Sequence, residues 1–289
     1  MTVLAEAPVT TPRRRPLAGL IRRPTARIGA AIVCVFLLLA AFAPLAAPYD
    51  PFDQDLSAAL AAPSLAHPLG TDQYGRDVLS RIIYGSRTAL LAIAVADGIA
   101  LVIGAALGLF AGFLGGRADA FVMRLVDVLL AFPYLLLALI IVAALGPSLI
   151  NSIVAIGIVY TPQYARLIRG QVLAVKATEY VLASQALGAS PLRIMLRHIL
   201  PNSFTPLLVM ATLQSGTVVV ETAGLSFLGL GAQPPSPDWG ALLADGQGYF
   251  LTAWWIATFP GLAIFAVVIG FNLFGDALRD HFDPRRRGA

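Results

Sequence analysis

Residues 128–165 read VLLAFPYLLLALIIVAALGPSLINSIVAIGIVYTPQYA, a run without a single Asp, Glu, Lys or Arg. A bilayer core takes about 20 residues of helix, so this run is too long for one crossing and suits two. Gly146-Pro147, followed by Ser148 and Asn151, is turn chemistry that divides the run into two spans joined by a short loop. Working outward, four more apolar runs complete the set. They cover residues 28–47, 88–114 (interrupted by Asp97), 204–228 (holding Glu221) and 254–274. The chain reads as an all-α membrane protein with six transmembrane helices.

The placement of charge tests that count. With the N-terminus inside, six spans put residues 1–27, 115–124, 166–203 and 275–289 in the cytoplasm, and these hold 17 of the 20 Lys and Arg residues. The outer segments keep only Arg76, Arg81 and Arg87, together with Asp50, Asp53, Asp55, Asp72, Asp77, Asp238 and Asp245. Loops rich in Lys and Arg stay on the cytoplasmic side, and one span more or fewer would scramble the partition. Both termini are therefore expected in the cytoplasm.

Composition excludes an ordinary soluble enzyme. The chain is 58% hydrophobic and 12% charged, and that charged share is about half of what a globular domain carries. The net charge of +4 does not point to nucleic acid. The basic N-terminal arm (Arg13, Arg14, Arg15, Arg22, Arg23, Arg27) lacks interleaved aromatics and leads straight into a span. It is not a signal peptide either, because the uncharged run 28–47 exceeds the 7–15 residues of a cleaved apolar region. Cys34 has no second cysteine to pair with and reads as a small packed hydrophobe.

Two outer segments carry local signals. Arg76-Asp77 through Arg87 has Val78, Ile82 and Ile83 at helical spacing, which predicts a short helix lying on the outer surface ahead of the second span. Residues 232–252 open with Gln233-Pro234-Pro235-Ser236-Pro237, whose prolines forbid regular structure, and end at Trp254 and Trp255 where an aromatic belt would lie.

The cytoplasmic segment 176–202, KATEYVLASQALGASPLRIMLRHILPN, is far longer than a connection requires. Glu179 to Leu187 favours helix, Gly188 breaks it, and Pro191 can open a second helix at its first turn. Leu192, Met195, Leu196 and Ile199 recur at helical spacing, and Pro201 is expected to end that helix before the next span. A cytoplasmic helix–turn–helix with an apolar face and basic flanks suits docking onto another protein.

At this point the sequence resembles a family. The segment is similar to the EAA coupling loop of ATP-binding-cassette importer permeases, with Ala183, Gly188, Leu200 and Pro201 at the right intervals. It departs from the general form in having Leu182 six residues before Gly188, with Glu179 three residues earlier, as in the peptide-transport branch. Residues 69–81, LGTDQYGRDVLSR, look like the signature ahead of the second span in the C-type subunits of dipeptide, oligopeptide and nickel permeases. Residues 225–231 (LSFLGLG), 234–240 (PPSPDWG) and 272–276 (NLFGD) through Asp283-Pro284 fit the same subunit, so the resemblance covers roughly residues 27–285.

The resemblance implies a type I, MetI-like importer fold that works with a homologous B-type permease, two ATPase subunits and an extracytoplasmic substrate-binding protein. It implies transport of di- or oligopeptides or a similar solute across a bacterial inner membrane. It also implies an ATPase-coupling role for Glu179, Ala183, Gly188, Ala189, Ser190, Ile194, Leu200 and Pro201. The chain then divides into a basic tail (1–27), a first span with its extracytoplasmic segment (28–87), a permease core (88–275) and a C-terminal tail (276–289).

The residues agree with a non-catalytic role. The one lysine, Lys176, lies outside any phosphate-loop pattern, so ATP is expected on partner subunits and no cofactor on this chain. His67, His198 and His281 are too scattered for a metal set. Asp97 and Glu221 are the candidate gate or pathway residues, because a carboxylate at mid-membrane must face protein or water. Asp97 either lines the path or bonds at a helix contact. Glu221 is read at the interface between permeases, with a buried structural hydrogen bond as the alternative. Asp127 is expected to pair with Arg124 three residues earlier, and Gly104, Gly108 and Gly112 to mark close helix packing. The rival class is a self-sufficient ion-coupled carrier or channel, but inverted repeats and paired broken helices are not evident. An intramembrane enzyme is disfavoured because Ser215 and Ser226 have no histidine in their membrane layer.

Overall fold

A computed structural model describes residues 24–282. The N-terminal arginines 13–23, Asp283-Pro284 and the arginines 285–287 lie outside the described residues. Among the described residues there is no strand, only one isolated β-bridge between Thr71 and Asp77. Helix α1 (Pro24–Ala41) is followed by a short turn of helix, α2 (Ala43–Ala46). After residues 47–77 come α3 (Val78–Leu114), α4 (Gly116–Leu130), α5 (Tyr134–Leu145) and α6 (Leu149–Lys176). The elbow at residues 176–202 contains α7 (Glu179–Ala186) and α8 (Pro191–Ile194), then a π-turn at Met195–Ile199 leads into α9 (Leu200–Phe227). Helices α10 (Trp239–Gln247) and α11 (Trp255–Phe282) complete the chain.

Helices α3 and α6 make the most extensive contact in the fold, and their sequences explain why. An added Cβ at Gly104 would lie 2.5 Å from the Tyr164 Cβ, at Gly108 2.4 Å from the Ala165 carbonyl oxygen, and at Gly112 2.9 Å from the Val172 Cβ. The glycine stripe is thus the surface through which α3 lies against α6, as its spacing predicts. Helix α11 crosses α1 in the same way, with Gly29 against the Phe274 backbone and Gly270 against Ile32.

Several expectations are corrected. The predicted surface helix ahead of the second span is instead the first turns of α3. Nothing near Arg87 breaks the helix, which runs 37 residues from Val78, about 55 Å and well beyond the bilayer core. The predicted third span is not one straight helix: α4 and α5 meet at 94° around Ala131-Phe132-Pro133, where the proline starts a new helix. The fourth begins as expected after Gly146 (φ +91°), with the Ser148 hydroxyl accepting from the Asn151 amide. Four helical segments are long and apolar enough to cross a membrane, five if the bent α4–α5 pair is one span. Helix α6 has the length, but Asn151, Gln163, Arg166 and Arg169 dilute its apolar run. Span one ends earlier than expected, with α1 stopping at Ala41. Cys34 is exposed on α1 rather than packed, because Phe36 and Ala40 form the inward face there. The loop after Gln233 is irregular only to Asp238, whose carboxylate caps α10 by accepting from the Gly240 and Ala241 amides.

Candidate coupling elbow and translocation face

The elbow is built by a full helix stop. Gly188 takes φ +79°, its N–H donates to the Gln185 carbonyl, and the Ala189 N–H donates to that of Ser184. That pair of bonds satisfies the last carbonyls of α7 and needs a left-handed residue, for which glycine has no Cβ penalty. Ser190 then caps the next helix by accepting from the Arg193 amide, and Pro191 sits at its first turn, where a missing N–H costs nothing.

The helix that follows does not end at Pro201, as the sequence suggests. It continues unbroken from Pro191 to Phe227. The proline removes one N–H and crowds the turn before it, and the widened π-turn just upstream provides the room. There the Leu200 N–H reaches back to Met195 O, and Ser203 Oγ donates to Ile199 O at 3.0 Å. The elbow is therefore mechanically continuous with α9.

Val181, Ile194 and Ile199 anchor the elbow in the core, whereas Leu182, Leu187, Leu192 and Leu196 face outward, Leu187 at 89% exposure. Of the residues implicated in coupling, Glu179, Ala183, Gly188, Ser190 and Pro201 are also exposed, Ala189 and Leu200 are half-buried, and Ile194 is buried. The elbow presents an apolar surface that a single chain leaves uncovered.

Asp97 and Glu221 occupy different settings. Asp97 on α3 accepts from the Tyr164 hydroxyl of α6 at 3.2 Å and from the Ser215 hydroxyl of α9 at 3.1 Å. It is a satisfied carboxylate that ties three helices together. Glu221 on α9 is half-buried and pairs with Tyr160 of α6, and a groove between α6, α9 and α11 opens about two turns along α9 from it. That groove holds about 640 Å³ and is lined by Leu167, Met210, Leu213, Gln214 and Arg279 among others. A second cavity beside it, of about 560 Å³, adds Tyr134, Gln163 and Arg166. Polar groups in a membrane-spanning layer face protein or water rather than lipid, so this face needs a partner subunit or an aqueous path against it. Sequence reading missed Tyr160, Gln163 and Gln214. Their signal is a polar residue inside an otherwise apolar helix.

Asp127 pairs with Arg166 of α6, not with Arg124, and Asp119 pairs with Arg169 through two bonds, at 2.5 and 2.6 Å. Both bridges fasten the amphipathic α4 across α6. Here the contact between helices overrides the local i,i+3 spacing.

The 69–81 signature is a lock rather than a ligand set. Asp72 accepts from Arg76 Nε at 2.6 Å and lies 3.5 Å from Arg81, both arginines being buried. Asp77 caps α3 through the Ser80 amide at 2.7 Å and meets His67 Nδ1 at 3.0 Å. Trp255 Nε1 donates to Thr71 O, and Trp239 Nε1 to Ile82 O, which ties α11 and α10 to the same corner. Gly75 (φ +74°) passes so close to Asp55 that a Cβ would overlap its carbonyl oxygen. Burial pushes the Asp245 carboxyl of α10 above the ordinary carboxylate range, and the Arg81 and Arg76 guanidinium groups oppose that shift.

Comparisons with known proteins agree on what this architecture is. Residues 104–288 match the family described as binding-protein-dependent transport system inner membrane component, and residues 11–63 match the N-terminal TM domain of oligopeptide transport permease C. The chain belongs to the first of these families: it is a multi-pass inner-membrane permease subunit of an ABC importer, and not itself the ATPase.

Its relatives include the probable D,D-dipeptide transport system permease protein DdpC of Escherichia coli K12, 48% identical over 92% of this chain and 89% of that one. The dipeptide transport system permease protein DppC of Alkalihalophilus pseudofirmus is 44% identical, covering 96% and 91%. The glutathione transport system permease protein GsiD of Pectobacterium atrosepticum is 41% identical, covering 99% and 95%. An inward-facing structure of the MetNI methionine ABC transporter aligns with a TM-score of 0.57 at 21% identity, over 71% of this chain and 98% of that one. At that identity the likeness is one of fold, and the fold is MetI-like.

Proposed function

We propose that this chain and a homologous permease together form the membrane path of a short-peptide importer, driven by two ATPase subunits on the cytoplasmic side and fed by an external binding protein. The observation that carries the proposal is the exposed elbow at residues 179–199, whose second helix runs from Pro191 without a break into the helix bearing Glu221. A partner that moves the elbow moves the wall of the path. Peptide cargo is supported by the relatives, whose names specify D,D-dipeptides, dipeptides and glutathione. In this reading α1, α3, the α4–α5 pair, α6, α9 and α11 are the six spans, both termini are cytoplasmic, and 176–202 is the coupling loop. Glu221 and Asp97 then serve at the gate, Glu221 on the path and Asp97 as the tie that holds α9.

Uptake separates this reading from an ion-coupled carrier. Vesicles carrying the whole transporter should accumulate a labelled dipeptide only with ATP on the ATPase side and binding protein on the other, and a protonophore should not change the rate. Uptake without ATP that collapses with the protonophore would overturn the proposal. Topology has its own check. In a Cys34→Ser background, Ser57→Cys and Ser236→Cys should react with an impermeant thiol reagent in intact spheroplasts, and Ala289→Cys should not. Labelling at position 289 in sealed cells would rule out six spans with a cytoplasmic C-terminus.

A further inference from the structure

Helix α4 is tied to α6 near both of its ends, yet at a single level of α6. Asp119, near the start of α4, pairs with Arg169, and Asp127, near its end, pairs with Arg166. The two acids stand eight residues apart, about 12 Å along α4, whereas the two arginines are three apart, about 4.5 Å along α6. Helices lying side by side would match those spacings, so α4 runs across α6. The level matters too: α6 carries no Asp, Glu, Lys or Arg before Arg166, so α4 crosses where its apolar part ends. The buried residues of α4, Val122 and Val126, pack with Ala111 of α3 and Ala165 of α6. The opposite face is divided lengthwise. At about 100° per residue, Arg117, Ala120 and Arg124 fall on one flank of it, and Phe121, Leu125 and Val128 on the other. All six are exposed, Phe121 at 73%. Among the described residues neither Arg117 nor Arg124 pairs with a carboxylate, and both acids of α4 are held by α6.

We infer that α4 lies along the membrane surface and that its outward face binds anionic phospholipid, with Arg117 and Arg124 on lipid phosphates and Phe121, Leu125 and Val128 among the upper acyl chains. A helix that crosses a bilayer changes polarity along its length, whereas one lying in the interface changes polarity around its circumference. Helix α4 does the second, since its charges at 117, 119, 124 and 127 are spread along it between exposed apolar residues. Charge complementarity selects the occupant. The face offers two unpaired guanidinium groups, whose planar forks match phosphate oxygens, and its acids are already neutralised. The α4–α5 pair then enters the bilayer only at its 94° bend. Arg166, held by Asp127 of α4, also lines the 560 Å³ cavity, so the bound lipid stands one ion pair away from that wall. None of this depends on the cargo.

The test uses the whole transporter with cysteine-free partner subunits, in a Cys34→Ser background, reconstituted in equal parts phosphatidylcholine and phosphatidylglycerol. A bimane fluorophore on Phe121→Cys reports its lipid neighbours by quenching when one of the two lipids carries brominated chains. Brominated phosphatidylglycerol should be enriched around it about fivefold or more over brominated phosphatidylcholine, the scale of one arginine at an anionic surface. Arg117→Gln combined with Arg124→Gln should bring the two lipids within about twofold of each other, whereas Arg117→Lys combined with Arg124→Lys should keep the preference. If the double glutamine variant fails to reconstitute, Arg124→Gln alone should at least halve the preference. Depth is read separately. Labels on Phe121→Cys and Val128→Cys, seven residues apart on one flank, should be quenched best by bromines at the same chain position, whereas an upright α4 would separate them by about 10 Å. Equal quenching by the two lipids in the parent, or clearly different depths for the two labels, overturns the inference. Quenching by neither lipid would mean that a partner subunit covers the face, and overturns it as well.

Discussion

Gly188→Pro should leave the protein inserted and assembled while reducing ATP-driven uptake to background. Gly188 has φ +79°, and proline is confined near −65°. The substitution also deletes the N–H that donates to Gln185 O. Strain and the lost bond together amount to about 2–4 kcal/mol at the elbow. The segment is exposed and its anchors Val181, Ile194 and Ile199 lie on either side, so the damage stays local. The second helix is re-aimed, the outward leucines lose their register with whatever covers them, and α9 itself remains folded. Gly188→Ala is a graded control, costing about 1–2 kcal/mol for a Cβ in the left-handed region, and should give partial coupling. Membrane abundance, ATPase rate and uptake are measured side by side. Normal coupled uptake by the proline variant at normal abundance would sink the coupling assignment.

Gly108→Leu is expected to destroy the fold rather than the coupling. A Cβ there would stand 2.4 Å from the Ala165 carbonyl oxygen and 3.0 Å from the Arg169 amide nitrogen, and neither backbone atom can step aside. Forcing α3 off α6 also strains the Tyr164–Asp97 bond on the same crossing. The cost is about 3 kcal/mol or more, the upper range for overpacking. Gly98 lies on the same helix with open space where its Cβ would go, so Gly98→Leu should remain within about 0.5 kcal/mol of the parent. The readout is the fraction of detergent-solubilised protein that stays monodisperse after heating. Equal survival of the two variants would contradict the packing assigned to the glycine stripe.

Much of the helical architecture was legible in the chain because long apolar runs are a one-dimensional signal. The glycine stripe, the turn at Gly146 and the stop at Gly188 were legible too, since each follows from the conformational range of a single residue. The break at Ala131-Phe132-Pro133 was hidden because an apolar run continues across it, and hydropathy does not register a change of direction. The passage through Pro201 was hidden for another reason: a proline reads as a stop unless the backbone widens just before it, and a π-turn leaves no periodicity. The pairings of the site were out of reach altogether. Tyr160 with Glu221, and Asp97 with Tyr164 and Ser215, join residues 61 to 118 positions apart. Asp127 chose Arg166 over Arg124 because α6, not the next turn of α4, is the nearer surface.

The unbroken helix from Pro191 to Phe227 has a mechanical ratio built into it. Ser215, where the helix is tied to Asp97, stands 24 residues from one end and 12 from the other. At helical rise the arms are about 36 and 18 Å. A rod turning about that tie would move its Phe227 end half as far as its Pro191 end and deliver about twice the force there. A large, soft swing at Pro191 would thus become a short, firm one at Phe227.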